Sequence, residues 1–352
     1  MSASPEKLLS IQVLRGIAAM SVLFGHAQTE AVQMSPEFSR INFAWGAGVD
    51  LFFVISGFIM VLSSQRLFQK SDGVATFLWH RFVRVVPLYW FYTTLMIVAA
   101  LVFADQLEKT RLSAGGIISS YLFFPHLRWD GAIRPILSLG WTLNYEMFFY
   151  LLFSGTLLLS ATRGMVALLC ALVLFAIAGA LFANLPTALA FWTDSIILEF
   201  GGGAILGWLY LKIPQRIGLG ALAGLTAAAG ASFILFQSMP TLPRFVALGV
   251  PATLLVAAAL WGRAREPGRI QRWFANWIGE SSYSMYLSHP FAFAVVKLAW
   301  PLKPGEADWV YVLAATIVGV VGGILSYVLV EQPLLARAKR VRSSQAAPAG
   351  GN

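Results

Sequence analysis

The sequence has few charged residues and a single cysteine, and both shortages narrow the possible class of protein. Asp, Glu, Lys and Arg make up 12% of the 352 residues, whereas a soluble domain usually carries about 25%. The only cysteine, Cys170, lies inside an apolar run, so no intrachain disulfide can form. Cysteine and histidine show no metal-ligand spacing, so we expect no bound metal ion. The shortage of charge therefore disfavours a soluble protein.

Hydrophobic residues are abundant instead. They make up 58% of the chain, and the mean hydropathy is +0.72. Aromatic residues reach 14%, with 12 Trp, which suits belts at membrane interfaces. The net charge of +9 comes from basic residues in short loops between apolar runs, a pattern that favours orientation in a membrane over nucleic-acid binding. Only Lys7 precedes the first run, so we expect no cleaved signal peptide.

Ten apolar runs predict an all-α integral membrane protein built as a bundle of about ten transmembrane helices. Outside these runs, Lys and Arg favour the side of the N-terminus by roughly two to one, which predicts that both termini are cytoplasmic. The runs cover approximately residues 8–27, 44–64, 83–104, 139–160, 164–184, 192–212, 216–237, 245–263, 280–300 and 308–331.

The predicted bundle occupies residues 1–335, and we expect 336–352 to form a basic, disordered cytoplasmic tail. The longest predicted outer loop, about 105–138, contains an apolar stretch at 117–125. This stretch is too short to span a bilayer and is expected to be re-entrant or interfacial. No internal repeat is visible, and the lack of an inverted repeat counts against a carrier.

The first apolar run carries two ionisable residues, Arg15 and His26. They are eleven residues apart, which at about 100° per residue places both on one helix face, separated by about 16 Å. Ala18, Ala19 and Val22 lie between them on that face and predict an open groove. Because ionisable residues inside a membrane helix are costly, this pair indicates a functional site.

The second apolar run contains one carboxylate, Asp50, near its predicted outer end. Gly46, Val54 and Gly57 share its helix face, so another helix or a thin acyl chain could approach closely. Two interpretations of Asp50 are open. It pairs with a neighbouring helix, or it orients an imidazole such as His26.

Two arginines, Arg81 and Arg84, stand three residues apart at the predicted cytoplasmic end of the third run. Residues at this spacing are neighbours on a helix surface. Two guanidinium groups placed side by side suit a phosphate ligand. The alternative is that they only anchor the helix on the positive cytoplasmic side.

Polar residues also follow helical spacing in the fourth run. Thr142, Glu146 and Tyr150 are four residues apart in turn and form one polar stripe. A buried carboxylate without a partner takes up a proton, so Glu146 is expected to be paired, neutral or catalytic. Glu199 in the sixth run has a less specific context and is expected to be structural.

The ninth run carries a hydroxyl-rich face. Ser282, Tyr286 and His289 fall on one side of the predicted helix, and Pro290 is expected to bend it. A lone histidine on an apolar helix is more often a satisfied core residue. Here its polar neighbours make a structural role and a functional role equally acceptable.

Six segments taken together resemble the acyltransferase 3 family, membrane enzymes that transfer acyl groups to sugars and glycans. Over about residues 8–335 they follow the order of the family, and the opening IQVLRGIAAM looks most like bacterial exopolysaccharide O-acetyltransferases. The segments are LRGIAAMSVLFGH, with its Arg-x10-His spacing, then GVDLFFVISGF, HRFVRVVPLYW, WTLNYEMFFY, GESSYSMYLSHP and VEQP.

The resemblance implies an acyl-CoA donor, usually acetyl-CoA, which is a substrate and not a permanently bound cofactor. It implies a carbohydrate or lipid-linked glycan acceptor and a multi-pass location in the bacterial cytoplasmic (inner) membrane. It also implies that Arg15 and His26 are essential and that Arg81 and Arg84 matter. We expect no nucleic-acid partner, while a homo-oligomer or association with polysaccharide assembly proteins is possible.

On this basis His26 is expected to act as general base toward a sugar hydroxyl, since its unperturbed pKa lies near neutrality. A carboxylate, from Asp50 or Glu146, is expected to hold its other ring nitrogen. Direct transfer and a covalent acyl-imidazole on His26 are both open. The expected donor-binding residues are Arg15, Arg81 and Arg84, and the expected substrate contacts are Trp141, Ser282, Tyr286 and His289.

Two rival functions from other classes are also compatible with the pattern. A lipid-linked glycan transporter or flippase would also have ten spans and charges inside the membrane. A non-catalytic partner of a polysaccharide assembly complex is a further alternative. The alignment of Arg15 with His26 argues against it, because a scaffold gains nothing from costly buried charges.

Overall fold

The fold is described by a computed structural model that covers residues 5–103, 111–213, 218–237, 239, 241–262, 267–300, 306 and 308–338. Over these ranges every regular element is helical, and the only β pairing is an isolated bridge between Leu127 and Ile133. The prediction of an all-α protein is confirmed. Each of the ten predicted runs coincides with a helical segment.

Thirteen α-helices follow one another in the described part of the chain. They are α1 (Pro5–Met34), α2 (Ala47–Ser63), α3 (Gly73–Val102), α4 (Ala114–Tyr121), α5 (Trp141–Thr156), α6 (Ala161–Leu181), α7 (Thr187–Trp192), α8 (Leu198–Tyr210), α9 (Leu219–Gln237), α10 (Val250–Trp261), α11 (Arg269–Phe274), α12 (Ser282–Ala299) and α13 (Trp309–Ser326).

Four helical stretches are long and apolar enough to cross a bilayer: Leu9–Met34, Gly73–Val102, Ala161–Leu181 and Trp309–Ala338. Shorter apolar helices lie beside them, so the number of crossings and the side of each terminus stay predictions. The last of the four stretches includes residues 336–338. The rest of the predicted tail, 339–352, lies outside the described residues.

The predicted outer loop folds back toward α3. Tyr121, at the end of α4, makes two contacts with α3. Its backbone carbonyl accepts a hydrogen bond of 2.9 Å from the Trp90 indole, and its side-chain hydroxyl lies 2.6 Å from the Thr94 hydroxyl. Trp90 and Thr94 belong to the apolar part of α3. The short helix therefore packs against the middle of α3, and the choice between a re-entrant and an interfacial segment stays a prediction.

Helices α2 and α8 pack backbone to backbone through glycines. A β-carbon on Gly57 would lie 3.0 Å from the Ala204 nitrogen, and one on Gly203 would lie 2.9 Å from the Phe58 nitrogen. Gly207, one turn beyond Gly203, also faces α2. This small-xxx-small spacing allows the close approach of two membrane helices. The space beside Gly57 is therefore filled by α8 and is not open to an acyl chain.

Substitution of Gly203 by alanine is expected to destabilise the fold, because the added methyl group would meet the α2 backbone, which cannot rotate away. Overpacking of this kind typically costs about 1–3 kcal/mol. The thermal unfolding midpoint in detergent should fall. Gly230→Ala is the matched control, since a β-carbon there meets no atom within 4 Å. Equal midpoints for both variants would contradict this packing.

Three five-residue π-helical turns adjoin charged residues. Phe245–Gly249 follows Arg244 and leads into α10, Ala275–Gly279 precedes Glu280, and Tyr327–Glu331 extends α13 and ends on Glu331. Such turns are rare and often lie at functional sites. Glu280 and Glu331 are bonded to side chains of the site described next, and Arg244 is bonded to Asp50.

Candidate active site

A cavity of about 320 Å³, here called the arginine cavity, lies among α1, α2, α3, α5 and α12. Its wall combines apolar side chains of α2 with polar and charged side chains of the other helices. Five of the ten predicted site residues line it together: Arg15, Arg81, Arg84, Glu146 and Tyr286.

Arg15 is held by hydrogen bonds and not by a direct ion pair within the described residues. Its Nη1 donates to Gln12 Oε1 at 2.9 Å, and Gln12 Nε2 donates to Glu280 Oε1 at 2.7 Å. Glu280 follows the second π-helical turn, so that turn carries the carboxylate to this chain of bonds. The arrangement fixes the Arg15 side chain and leaves its positive charge in the cavity wall.

Arg84 and Arg81 differ in their partners. Arg84 forms a salt bridge with Glu331, whose second carboxylate oxygen accepts a hydrogen bond of 2.6 Å from Ser284. The buried Arg81 Nε has no hydrogen-bond partner among the described residues, and its guanidinium lies 5.6 Å from the centre of the Phe77 ring. Arg81 is therefore the more available of the two cations.

Glu146 occupies the same cavity and is bonded to two hydroxyl groups. Its Oε1 accepts a hydrogen bond of 2.9 Å from Ser56 and another from Tyr150. Among the described residues neither contact involves His26, so the expected Glu146–His26 bond is absent. Residues four apart lie on the same helix face, and this geometry gives Glu146 its partner Tyr150.

Asp50 is completely buried and forms a two-point ion pair with Arg244. The guanidinium donates from Nε at 3.0 Å and from Nη2 at 2.7 Å to the two carboxylate oxygens. The prediction that Asp50 orients His26 is wrong in this structure, and the alternative of pairing with a neighbouring helix holds. Arg244 stands just before a π-helical turn, a position that hydropathy does not reveal.

Two further residues of the sequence analysis lie beside this ion pair. The Arg244 guanidinium is 5.8 Å from the centre of the Trp141 ring, so Trp141 packs against Arg244 and is not part of the arginine cavity wall. Glu199 is buried nearby, within electrostatic reach of Asp50 and Arg244. Both contacts are compatible with a structural role.

The two histidines predicted from separate segments form a direct hydrogen bond. His26 Nδ1 lies 2.8 Å from His289 Nε2, and His289 Nδ1 lies 3.2 Å from the Met285 carbonyl. A carbonyl only accepts, so His289 carries its proton on Nδ1 and its Nε2 is an acceptor. His26 must then donate from Nδ1. This assignment leaves His26 Nε2 unprotonated and able to accept a proton.

His26 lines a second cavity of about 210 Å³, here called the histidine cavity. Its wall comes from α1 and from the segment between α1 and α2. Besides His26 it includes Gln28, Arg40, Asn42 and Trp45. This mixture of amide, guanidinium and indole groups provides both hydrogen bonds and an aromatic surface for a polar ligand.

The predicted groove between Arg15 and His26 on α1 is occupied by α2. Ala18 is fully buried, and Gly48 of α2 packs against Ala18 and Val22. Small residues favour close helix packing in membranes, and here that packing closes the groove. Arg15 and His26 therefore line two separate cavities and do not share one passage along α1.

Two side chains of α12, Tyr286 and His289, lie between the arginine cavity and His26 instead. Tyr286 lines the arginine cavity, and its ring centre is 6.3 Å from that of His289, the partner of His26. The Tyr286 hydroxyl donates to the Leu139 carbonyl at 2.9 Å and lies 3.1 Å from the Thr142 hydroxyl. A short row of side chains thus separates the arginine cavity from the base.

Ser282 is the remaining predicted contact. It is fully buried, it is not part of the arginine cavity wall, and its hydroxyl has no partner in the described part of the chain.

The sequence analysis missed Gln12, Glu280 and Arg244 as site residues. Gln12 and Glu280 lie in the quoted segments IQVLRGIAAM and GESSYSMYLSHP, which was the signal that could have found them, whereas Arg244 lies in none of the quoted segments.

No group of three or more His, Cys, Asp or Glu side chains within the described ranges could hold a metal ion. The two cavities offer guanidinium cations, hydroxyl groups, the Glu146 carboxylate and the His26 imidazole. Positive charges beside a base that faces a second cavity suit transfer of a group from an anionic donor to a hydroxyl group of an acceptor.

Comparison with known proteins gives matches along most of the chain. An acyltransferase domain model matches residues 8–328. The exopolysaccharide production protein ExoZ of Rhizobium meliloti (strain 1021) is 34% identical over 309 residues, covering 85% of this chain and 93% of that protein. The acyltransferase MdmB of Streptomyces mycarofaciens is 24% identical, covering 97% and 95%.

A longer relative is the peptidoglycan O-acetyltransferase OatA of Listeria monocytogenes, which is 23% identical. That match covers 92% of this chain but 55% of OatA. No solved structure matches the chain at a significant level. Because the domain model extends over nearly the whole sequence, the chain belongs to the acyltransferase 3 family.

Proposed function

We propose that the protein is an acyl-CoA-dependent O-acetyltransferase that acetylates a sugar hydroxyl of a surface polysaccharide or of its lipid-linked precursor. It acts as a multi-pass protein of the bacterial cytoplasmic membrane, with ten spans and both termini cytoplasmic. The observation that carries the proposal is the bonded His26–His289 pair, because His26 lines the histidine cavity and His289 lies beside Tyr286 of the arginine cavity. The name of ExoZ supports an exopolysaccharide as the acceptor.

The arginine cavity is proposed to bind the donor. Acetyl-CoA carries phosphate groups and a long pantetheine arm, and arginine binds phosphate through paired N–H donors. Arg81 has the free Nε and is the proposed phosphate ligand, while Arg84 is already paired with Glu331. Arg15 is held by Gln12 and is proposed to contact the pantetheine arm. The apolar α2 wall would exclude water from the thioester.

The histidine cavity is proposed to bind the acceptor. The thioester end of the donor has to pass Tyr286 to meet the sugar at His26. His26 Nε2 then takes the proton of the sugar hydroxyl, and the oxygen attacks the thioester carbonyl. The carbon–sulfur bond then breaks, and the CoA sulfur leaves as thiolate and recovers a proton. His289 keeps His26 in the reactive tautomer by accepting its Nδ1 proton in a hydrogen bond. This role replaces the carboxylate that the sequence analysis assigned to the other ring nitrogen.

The test is transfer of radiolabelled acetyl groups by the purified protein in lipid nanodiscs. Labelled acetyl-CoA and surface polysaccharide from the producing strain are incubated together, and label on the polysaccharide is counted before and after mild alkali, which cleaves O-acetyl esters. We expect alkali-labile label on the polysaccharide. If the label stays on CoA while the protein moves a lipid-linked glycan between leaflets, the flippase alternative is correct.

A further inference from the structure

A third cavity, of about 110 Å³, lies in the segment between α3 and α5 and is unusually basic. We call it the loop cavity and define it by Arg111, Arg128, Arg134, His126 and Trp129, all of which line it. The first turn of α4 forms its remaining side. Three guanidinium groups, one imidazole and one indole thus surround a small space, and no acidic side chain of the described residues lines it.

The three arginines are not equally available. Arg128 is bound to Asp130 at 3.1 Å and donates to the Ser138 hydroxyl at 3.0 Å. The Arg111 guanidinium lies 4.3 Å from the centre of the Trp129 ring. Arg134 is exposed and forms no ion pair with any carboxylate in the described part of the chain. Counted over the residues that the structure describes, the cavity therefore keeps a net positive charge that a compact anion can neutralise.

Membrane orientation does not explain these arginines. The positive-inside rule places excess Lys and Arg in cytoplasmic loops, whereas the proposed topology puts this loop on the opposite side. The segment that forms the loop cavity is also held in place by hydrogen bonds. Arg134 N donates to the His126 carbonyl at 3.1 Å, and Ile136 N donates to the Ser120 hydroxyl at 2.9 Å. A rigid cluster of cations on the outer side is better explained by an anionic ligand.

The loop cavity lies within electrostatic reach of His26, the proposed base. Arg134 is five residues before Leu139, whose carbonyl accepts the Tyr286 hydroxyl. An extended chain of five residues spans at most about 18 Å. The Arg134 charge is also close enough to act on the His26 ring and the Tyr286 hydroxyl. A molecule with one end at Arg134 could therefore place another part beside His26.

We propose that the loop cavity binds an oxyanion of the acceptor, a carboxylate or a phosphate, and so aligns a neighbouring sugar hydroxyl with His26. This inference rests on the proposed acetyl transfer, but it names a binding site that can be tested without it. A carboxylate would come from an acidic sugar of the polysaccharide. A phosphate would come from a lipid-linked precursor. Arginine forms two-point hydrogen bonds with either group.

A binding experiment tests the cavity independently of catalysis. The full-length protein in nanodiscs is titrated with glucuronate, glucose 1-phosphate or glucose, and tryptophan fluorescence is recorded. We expect a saturable change with at least one of the two anions and none with glucose. Trp129→Phe should abolish the signal, and Arg134→Gln should weaken binding about 10- to 100-fold. Arg163→Gln, an exposed arginine at the start of α6, is the charge-matched control.

The outcomes also identify the source of the anion. A response to glucuronate alone indicates an acidic sugar, and one to glucose 1-phosphate alone indicates the lipid-linked precursor. The same affinity for Arg134→Gln as for the wild type, or no response to either anion, would overturn the proposal. In the acetylation assay, Arg134→Gln should raise the acceptor KM and leave the acetyl-CoA KM unchanged. If the wild type binds anions but transfers no acetyl group, only the proposed function fails.

Discussion

Replacement of His26 by alanine is expected to lower kcat/KM for acetyl transfer by about 10² to 10⁴, the usual contribution of a positioned general base. The imidazole is the neutral base that lines the histidine cavity, and its Nε2 is left free by the bond from Nδ1 to His289. Initial rates of labelled acetyl transfer, measured at equal amounts of reconstituted protein, give the ratio directly.

Two variants separate chemistry from folding in this experiment. Ile17→Ala removes an exposed side chain from the same helix and should keep the wild-type rate. His289→Ala should lower the rate less than His26→Ala does, because the base remains and only its alignment is lost. His289→Gln restores an acceptor and should recover part of that loss. A wild-type rate in the His26→Ala variant, with normal yield, would remove His26 as the base.

The helices could be predicted from the sequence because a lipid bilayer strongly restricts the backbone structure that an apolar run can adopt. A long apolar run must satisfy its own backbone hydrogen bonds in lipid, so it forms a helix wherever it occurs. For this reason α1, α3 and α13 coincide with predicted runs. The π-helical turns beside Arg244, Glu280 and Glu331 were not predictable, because they depend on how neighbouring helices pack.

Some of the residues that line the arginine cavity could also be predicted from the sequence. Helical periodicity places Glu146 and Tyr150 on one face, and a polar face in a membrane turns toward the protein interior. The partner of each polar group depends instead on the rotation and depth of a second helix. Asp50 shows the difference: pairing with a neighbouring helix was one of its two predicted roles, but the sequence did not identify Arg244 as the partner.

The prediction of a passage along α1 was wrong, because small residues on a helix face allow either a ligand or another helix to approach. Ala18 and Val22 leave space beside the helix, and that space is equally suited to a ligand or to another helix. Gly48 of α2 occupies it here, since contact between helices recovers the van der Waals energy that an empty groove would lose. A single sequence contains no information that distinguishes these two uses.

Replacing each of the two neighbouring arginines of α3 by alanine is expected to affect a different property: Arg84→Ala should lower the stability of the fold, and Arg81→Ala should weaken donor binding. Arg84→Ala leaves Glu331 buried without its cation, since the exposed fraction of the Glu331 side chain is 2%. Breaking a buried ion pair in this way typically costs about 3–5 kcal/mol. Arg81→Ala removes a guanidinium without an ion-pair partner among the described residues. It should raise the KM for acetyl-CoA and change the thermal midpoint little.

A double variant distinguishes the ion pair from a direct role of Arg84 in donor binding. Arg84→Ala combined with Glu331→Gln removes both charges and keeps an oxygen that can accept from Ser284. The thermal midpoint lost in Arg84→Ala should therefore return, because no buried charge is left unpaired. Thermal unfolding in detergent and the acetyl-CoA KM are measured for all three variants. If Arg84→Ala keeps the wild-type midpoint but raises the KM, Arg84 binds the donor and the ion pair contributes little.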